Sequence, residues 1–284
     1  MNNRLVKLFI PYVVIMSFQY QFAKQGLTYS SPYSFMALRY IIAGSLLLLM
    51  SRRLSMKRDT LYLALLTSIS TLFWITGLEY VSPGDSAVIS YSMPLFAAIE
   101  ASIFLKEKIS VSEIAGITVG FLGVALYSST LQHGSLFLGV VLTLINSVFW
   151  GGFSVFMRKM RNEDTFSVVG SQFIIGSIPF LLLSIPYHHI EFSTNFIYDV
   201  LYVSILGGAV QLAIWDVLLK ADRVGRVTTY SFAVPALTVF VESIETLTLP
   251  SLTAVAGALV MFTGIAIANS SYVGSEPKER KLLG

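Results

Sequence analysis

The feature that most constrains this chain is a succession of apolar runs, each about twenty residues long, separated by short breaks of turn residues or charge. A helix of about 20 apolar residues crosses the hydrocarbon core of a bilayer, whereas membrane β-strands alternate apolar and polar residues. Because the runs are apolar throughout, they predict an all-α integral membrane protein with ten transmembrane helices. The predicted spans are 5–24, 32–51, 60–80, 85–105, 110–128, 134–157, 165–186, 196–219, 226–248 and 251–270.

The low charge content supports the same interpretation. Only 12% of the 284 residues are Asp, Glu, Lys or Arg, whereas soluble domains usually carry about 25% charged residues. The spans use nearly the whole length, so no soluble domain fits. The chain contains no cysteine, which excludes disulfides, thiol catalysis and thiolate metal sites. We expect no metal and no cofactor. We also expect no nucleic-acid partner, since the basic residues lie in short clusters between apolar runs.

The positive charges predict the orientation of the chain in the bilayer. Lys and Arg concentrate in the cytoplasmic segments of membrane proteins. With the N-terminus placed inside the cell, 17 of the 19 basic residues fall in inside segments, and the exceptions are Lys24 and Arg39. We therefore expect a multi-pass protein of the cell (plasma) membrane with both termini in the cytoplasm.

The second half of the chain repeats the first. A shift of 141 residues superposes Trp74 on Trp215, and residues 16–24 lie on 150–158, with a cation ending each stretch. This duplication predicts a first repeat over 1–129, a second over 130–274 and a cytoplasmic tail over 275–284. The same shift pairs Pro94 with Pro235, Gly84 with Gly225, Gly116 with Gly257 and Gly123 with Gly264.

An odd number of spans in each copy makes the two copies inverted. The loop 52–58 after the second helix holds four basic residues, whereas its counterpart 187–191 after the seventh helix holds no Lys or Arg. Inverted repeats place a binding site near the bilayer midplane and let one half rock against the other. The pattern therefore predicts a carrier that moves a small-molecule substrate by alternating access.

Several short stretches occur in a characteristic order in the first half. They are residues 31–40 (SPYSFMALRY), 77–83 (GLEYVSP), 87–94 and 104–110 (FLKEKIS), followed by a glycine-spaced fifth helix. Their order resembles the drug/metabolite transporter superfamily in its ten-helix EamA-type form. The resemblance implies secondary transport, frequently export, of amino acids or other small metabolites. It leaves a nucleotide-sugar or sugar-phosphate exchanger as an alternative.

The two copies are chemically unequal. Arg39 has only Gln172 near its equivalent position, and Glu107, which ends the fourth helix, corresponds to Thr248. The sequence therefore predicts a symmetric scaffold that carries an asymmetric substrate site.

Ionisable groups inside the membrane are costly and usually face the bundle interior. Arg39 lies about 10 Å deep by helix rise, and it either binds a substrate carboxylate or phosphate or forms a structural ion pair with an acid. Glu100 is the deepest acid and the first candidate for a functional role. Asp216 and Glu242 are further candidates for proton coupling, although Asp216 also lies four residues before Lys220, with which it can pair.

Aromatic and amide side chains at membrane depth are the other candidates for the substrate site. We also expect hinges or kinks at Pro94 and Pro235, since proline removes a helix hydrogen bond. The glycines of the fifth and tenth helices predict close helix contact, with a homodimer through these faces as an open alternative. The predicted substrate-binding residues are Gln19, Arg39, Trp74, Tyr91, Glu100, Trp150, Gln211 and Trp215.

Two other functional classes stay open at this point. A multi-pass membrane enzyme acting on lipid needs clustered acids, histidines or a nucleophile at an interface, and the sequence offers no such cluster. A passive channel needs a deep charged filter. Because neither feature is evident, a carrier without enzymatic activity is the leading hypothesis.

Overall fold

A computed structural model shows the chain as a bundle of helices. It describes residues 3–104, 106, 110–131, 134–221, 224, 227, 231 and 233–273. Gly225, Glu107 and the predicted tail 275–284 lie outside these residues. The described residues contain no strand and only one isolated antiparallel bridge, between Ser30 and Ile190. The predicted all-α fold is confirmed.

The helices follow the predicted spans closely. Seven stretches within the described residues are long and apolar enough to cross a membrane, among them Pro83–Phe104 and the 28-residue stretch Thr194–Ala221. The total of ten crossings stays a prediction. The helices are α1 Asn3–Gly26, α2 Pro32–Ser51, α3 Arg58–Tyr80, α4 Pro83–Ser90, α5 Met93–Phe104, α6 Val111–Ser128, α7 Ser135–Lys159, α8 Thr165–Ser184, α9 Thr194–Leu201, α10 Gln211–Ala221, α11 Ala233–Thr246 and α12 Leu252–Val273, with a 3₁₀ turn at Ser129–Leu131 and a π-helical segment at Tyr202–Val210.

Several helices begin where the sequence supplies a cap. Ser31 and Ser82 each precede a proline, and their hydroxyl oxygens accept hydrogen bonds from backbone N–H groups three residues on, at the starts of α2 and α4. Asp164 caps α8 in the same way. A polar cap followed by proline satisfies the free amides of a helix start and fixes its first φ angle. The predicted breaks are thus real helix starts.

Contacts between loops show that equivalent helices of the two halves run in opposite directions. At one end of the bundle, Ser30, which follows α1, pairs with Ile190, which precedes α9. At the other end, Lys57, which precedes α3, forms an ion pair of 2.6 Å with Glu163, which follows α7. Helix α1 therefore ends at one face of the bundle and its counterpart α7 ends at the other. The two halves are inverted.

Two repeat-related cations close equivalent helix ends. Lys24 Nζ donates to three carbonyl oxygens at the end of α3, including that of Leu78 at 2.7 Å. Arg158 Nη1 donates to two at the end of α10, including that of Leu219 at 2.7 Å. The last carbonyl groups of a helix have no partner within it, and a cation there also favours the helix dipole. The sequence match between these cations thus corresponds to one contact made twice.

Helices α6 and α12 cross at their glycines. A side chain at Gly123 would collide with the backbone of Met261, and one at Gly264 would collide with the backbone of Gly120. The repeat shift converts the first contact into the second. Small residues allow this close approach of two helices in lipid, so the packing interpretation is confirmed. These faces meet each other within one chain, and a homodimer stays a prediction.

The two prolines begin helices instead of bending them. Pro94 is the second residue of α5, and the interruption lies before it, at Tyr91 and Ser92. Pro235 is the third residue of α11. Proline is tolerated in the first turn of a helix, where its missing N–H is not needed. The predicted kinks are thus not seen inside a described helix, and a hinge at these prolines stays a prediction.

We expect Gly123→Val and Gly264→Val each to reduce the free energy of unfolding by about 1–3 kcal/mol or more, since each adds volume to a closed backbone contact. Ala125→Val, on the exposed side of α6, is the matched control and should be neutral. Thermal unfolding of the purified protein in detergent measures all three variants. Equal melting temperatures for the glycine variants and the control would contradict this packing.

Candidate functional site

A central cavity lies at mid-depth between the two halves. Its empty volume is ≈ 530 Å³, and residues of α1, α2, α3, α7, α8 and α10 line it. Helices of both halves therefore contribute to one site, as inverted repeats require. Five of the predicted substrate-binding residues are among those that line it: Gln19, Arg39, Trp74, Trp150 and Gln211.

Arg39 is the only charged residue among the described residues that line the cavity. Its side chain is 6% exposed, and its Nη2 donates to the carbonyl oxygen of Gly207 at 2.9 Å. The guanidinium carbon lies 5.4 Å from the centroid of the Trp74 ring, within cation–π range. Arg39 Nε has no hydrogen-bond partner among the described residues.

Arg39 forms no ion pair within the described part of the chain. The interpretation of Arg39 as half of a structural ion pair was therefore wrong for these residues. None of the candidate acids is among the residues that line the cavity. The positive charge of the cavity is held by a backbone carbonyl, a thioether and an aromatic ring instead of a carboxylate.

Gln19 completes the support of Arg39. The hydrogen-bond network requires the Gln19 amide nitrogen to donate to the Gly207 carbonyl and its oxygen to accept from Arg39 Nη2 at 3.3 Å. Gly207 lies in the π-helical segment, and Gln19 fills the space where a side chain at this position would lie. Departures from α-helical bonding of this kind are frequent at functional sites.

The π-helical segment contacts Arg39 through the Gly207 carbonyl, and its repeat equivalent lies within the α-helix α3. The stretch Thr194–Ala221 has 28 residues, whereas its repeat equivalent α3 has 23 and is α-helical throughout. Gln172, at the position equivalent to Arg39, is fully buried, and its Oε1 accepts from Thr67 Oγ1 at 3.3 Å. The predicted chemical inequality of the two halves is present at this pair of positions.

A polar stripe on α3 forms a wall of the cavity that the sequence interpretation missed. Thr67, Ser70, Thr71 and Trp74 all line the cavity, and their spacing places them on one helix face. This spacing was the available signal, because three hydroxyl residues in step with a tryptophan interrupt an otherwise apolar span. The other lining residues without a predicted role are Met16, Tyr20, Asn146, Phe153, Phe173 and Leu212.

The other three predicted substrate-binding residues, Glu100, Tyr91 and Trp215, are not among those that line the cavity; Tyr91 and Trp215 lie behind its wall. Both are fully buried and lie against Trp150, with ring centroids 5.5 Å and 6.4 Å from its ring. Trp215 also stacks on Tyr12 at 5.1 Å. These rings form a closed aromatic cluster behind the cavity wall, because the interrupted helix α4–α5 and helix α10 converge there on α7.

The three acids predicted for coupling are in three different environments. Asp216 is 1% exposed and pairs with Lys220 at 2.6 Å, as the simpler alternative predicted. Glu242 accepts a hydrogen bond from the backbone N–H of Gly84 at the start of α4. Glu100 packs against Gly151, next to the cavity residue Trp150, and its Oε2 has no hydrogen-bond partner among the described residues.

Asp199 is a buried acid that the sequence interpretation did not single out. It is 1% exposed, and its Oδ2 lacks a hydrogen-bond partner within the described residues. It lines a second, more open cavity between α1 and α9, together with Phe22 and Tyr202. The available signal was its place inside the predicted span 196–219, where any carboxylate is costly.

Comparison with known proteins identifies the family. The profile of the EamA-like transporter family matches residues 5–129 and again residues 137–270. The chain belongs to the EamA-like transporter family. The resemblance inferred from the order of the motifs is confirmed, and this EamA-like transporter is a multi-pass membrane protein.

Relatives of this EamA-like transporter extend over most of its length. It is 42% identical over 234 residues to an Acidianus ambivalens protein named as an uncharacterized transporter in the sor 3' region, covering 82% of this chain and 92% of that one. It is 29% identical over 281 residues to the uncharacterized transporter YvbV of Bacillus subtilis, covering 93% and 91%. A protein of known crystal structure shares the fold, with a TM-score of 0.71, 16% identity and coverage of 94% and 98%.

The absence of native cysteine allows a direct test of the cavity wall. We expect the thiol of Ser70→Cys, at the cavity, to react with a small thiol reagent about tenfold or more faster than that of Ser147→Cys, because reactivity follows access. Ser147 is buried between α4 and α7 and is the matched control. Labelling in detergent followed by mass spectrometry gives both rates. Equal rates would contradict a cavity at this wall.

Proposed function

We propose that this EamA-like transporter is a secondary carrier of a small metabolite, an amino acid or a related compound, and that it works by alternating access. The observation that carries the proposal is a cavity at mid-depth, lined by residues of two inverted halves. Ligand sites of this kind combine apolar and aromatic walls with a few placed polar groups. The cavity has both, with tryptophans and phenylalanines beside amides, hydroxyls and a single guanidinium.

Contacts at both ends of the bundle support this mechanism. At one end, the carboxylate of Glu242 on α11 holds the start of α4 at Gly84. At the other end, Lys57 binds Glu163, and the aromatic cluster around Trp215 closes α1, α7 and α10. A carrier needs such closures on each side of its site, because only one may be open at a time.

The proposed location is the cell membrane, with both termini in the cytoplasm, and the proposed direction is export. The supporting observation for the orientation is that Arg53, Lys57, Lys159 and Lys220 share one end of the bundle through contacts with α7, α8 and their connection. Clustered basic residues mark the cytoplasmic end of a membrane protein. The direction rests on the resemblance to exporters of small metabolites.

Glu100 is the acid that we propose for proton coupling. Asp216 is neutralised by Lys220, and Glu242 accepts a hydrogen bond from a helix start. Glu100 has an unpartnered oxygen within the described structure and packs against the turn of α7 that carries Trp150. A carboxyl group that gains and loses a proton there changes the charge beside the cavity wall as the carrier changes state.

We expect Glu100→Gln to abolish the response of transport to a proton gradient while exchange of substrate across the membrane continues, since the glutamine cannot release a proton. Glu245→Gln, at an exposed position on α11, is the matched control and should keep the response. Uptake into proteoliposomes with and without a pH difference measures both variants. An unchanged proton response in Glu100→Gln would contradict this assignment.

The test of the proposed function is counterflow in proteoliposomes preloaded with single compounds from a panel of amino acids, organic acids, amines and nucleotide sugars. Saturable counterflow supports a carrier, and the compound that drives it identifies the substrate class. Flux that does not saturate would indicate a channel. Product formation without flux would indicate an enzyme. Selective exchange of nucleotide sugars would replace the proposed substrates while retaining the carrier mechanism.

A further inference from the structure

Arg39 carries a positive charge that nothing in the described structure balances. An isolated buried cation costs several kcal/mol even after the protein relaxes around it. An arginine inside the membrane normally pairs with an acid or with backbone carbonyls, and it often marks a ligand pathway. The nearest candidate acids all have other positions, and no described acid lies within ion-pair distance. A negatively charged group that enters the cavity would supply the missing charge.

The unsatisfied donors of Arg39 have a defined chemistry. A guanidinium has five N–H groups and no acceptor. The Gly207 carbonyl accepts from Nη2 at 2.9 Å, and the thioether of Met36 lies 3.8 Å from Nη1. Nε has no partner among the described residues. Adjacent guanidinium N–H groups match two oxygens of a carboxylate or a phosphate. Because Arg39 is the single cation among the described lining residues, the single negative charge of a carboxylate balances it.

The remaining lining residues indicate the chemistry of the rest of the ligand. Trp74, Trp150 and Phe153 present aromatic surface, and Phe173 and Leu212 extend it. The polar groups there are neutral amides and hydroxyls. The described lining contains no acid to pair with an ammonium group, and an ammonium group would share the cavity with Arg39. The cavity thus favours an apolar organic body with one negative end.

We infer that the site of this EamA-like transporter selects an organic monocarboxylate, whose carboxylate binds Arg39 and whose apolar body lies against Trp74 and Trp150. An α-ammonium group is not required. The inference rests on the proposed function in that the same cavity is the transport site. It narrows the substrate class from amino acids and related compounds to organic acids with one carboxylate.

Three probes with one phenylethyl body test the inference: 3-phenylpropionate, L-phenylalanine and phenethylamine. We expect 3-phenylpropionate to bind about tenfold or more tightly than phenethylamine, because the amine loses a charge-assisted pair and gains a like charge. L-Phenylalanine should lie between them. Isothermal titration of the wild-type protein in detergent gives the three dissociation constants. Equal or tighter binding of the amine would overturn the inference, as would binding of L-phenylalanine without binding of the acid.

Variants of Arg39 connect the selectivity to the residue. Arg39→Gln should remove the preference for the acid over the amine, and Arg39→Lys, which keeps the charge but not the fork of donors, should keep the preference with weaker binding. Arg161→Gln, which removes an exposed arginine, is the control and should bind as the wild type does. An unchanged preference in Arg39→Gln would overturn the inference. If Arg39→Gln fails to fold, the wild-type comparison of the three probes decides alone.

Binding and transport can fail separately. Acid-selective binding without counterflow would overturn the proposed carrier and leave the carboxylate site intact. Saturable counterflow of amines, or of neutral compounds in preference to acids, would support the carrier and overturn the carboxylate site. Absence of binding by all three probes and by the smaller acid butanoate would also overturn it.

Discussion

The arrangement of this transporter depends on how a buried guanidinium is held at membrane depth without a carboxylate. Arg39 donates to the carbonyl of Gly207, and the Gln19 amide bridges the same two groups. The absence of a side chain at Gly207 leaves room for Gln19, and the π-helical segment occurs at this contact. Side chains of α1 and α2, in the first half, therefore meet the backbone of the second half at the cavity. The charge is supported but not neutralised by any described acid, and this is the basis of the proposed preference for a carboxylate.

The scaffold around this site is symmetric although the site is not. Lys24 and Arg158 make the same helix-end contact in the two halves, and the glycine crossing of α6 and α12 maps onto itself under the repeat. These contacts lie away from the cavity. At the centre, Arg39 of one half lines the cavity, whereas Gln172, at the equivalent position of the other half, is buried and does not line it. The two copies thus share contacts at the helix ends and at the glycine crossing and differ at the centre, where the proposed substrate site lies.

Hydropathy and charge predicted most of the fold, because helix length in lipid is fixed by the thickness of the hydrocarbon core. They also predicted the depth of Gln19, Arg39 and Trp74. Which side of each helix faces the cavity was harder to predict, since the lipid-facing side and the bundle-facing side of a membrane helix are both apolar. Tyr91 and Trp215 have suitable depth but lie behind the wall, whereas the α3 stripe around Ser70 faces the cavity.

Two features could not be predicted from one sequence. The first is the π-helical segment Tyr202–Val210, since its repeat equivalent lies within α3 and is α-helical. The lack of an acid beside Arg39 is a property of the assembled bundle. Every candidate acid had suitable depth. The spacing offered the Asp216–Lys220 pair as one alternative, but only packing shows that Glu242 binds Gly84.

Alternating access requires that the cavity opens in turn to the two sides of the membrane. The direct measurement is labelling of a cysteine at Thr71, a cavity position, by a membrane-impermeant reagent applied from either side. The labelling is compared before and after a disulfide joins cysteines at Ser30 and Ile190, which pair at one end of the bundle. We expect labelling from both sides before this disulfide forms. After it forms, we expect labelling only from the side opposite to the disulfide. Labelling that the disulfide leaves unchanged from both sides, or that occurs from one side only under all conditions, would contradict alternating access.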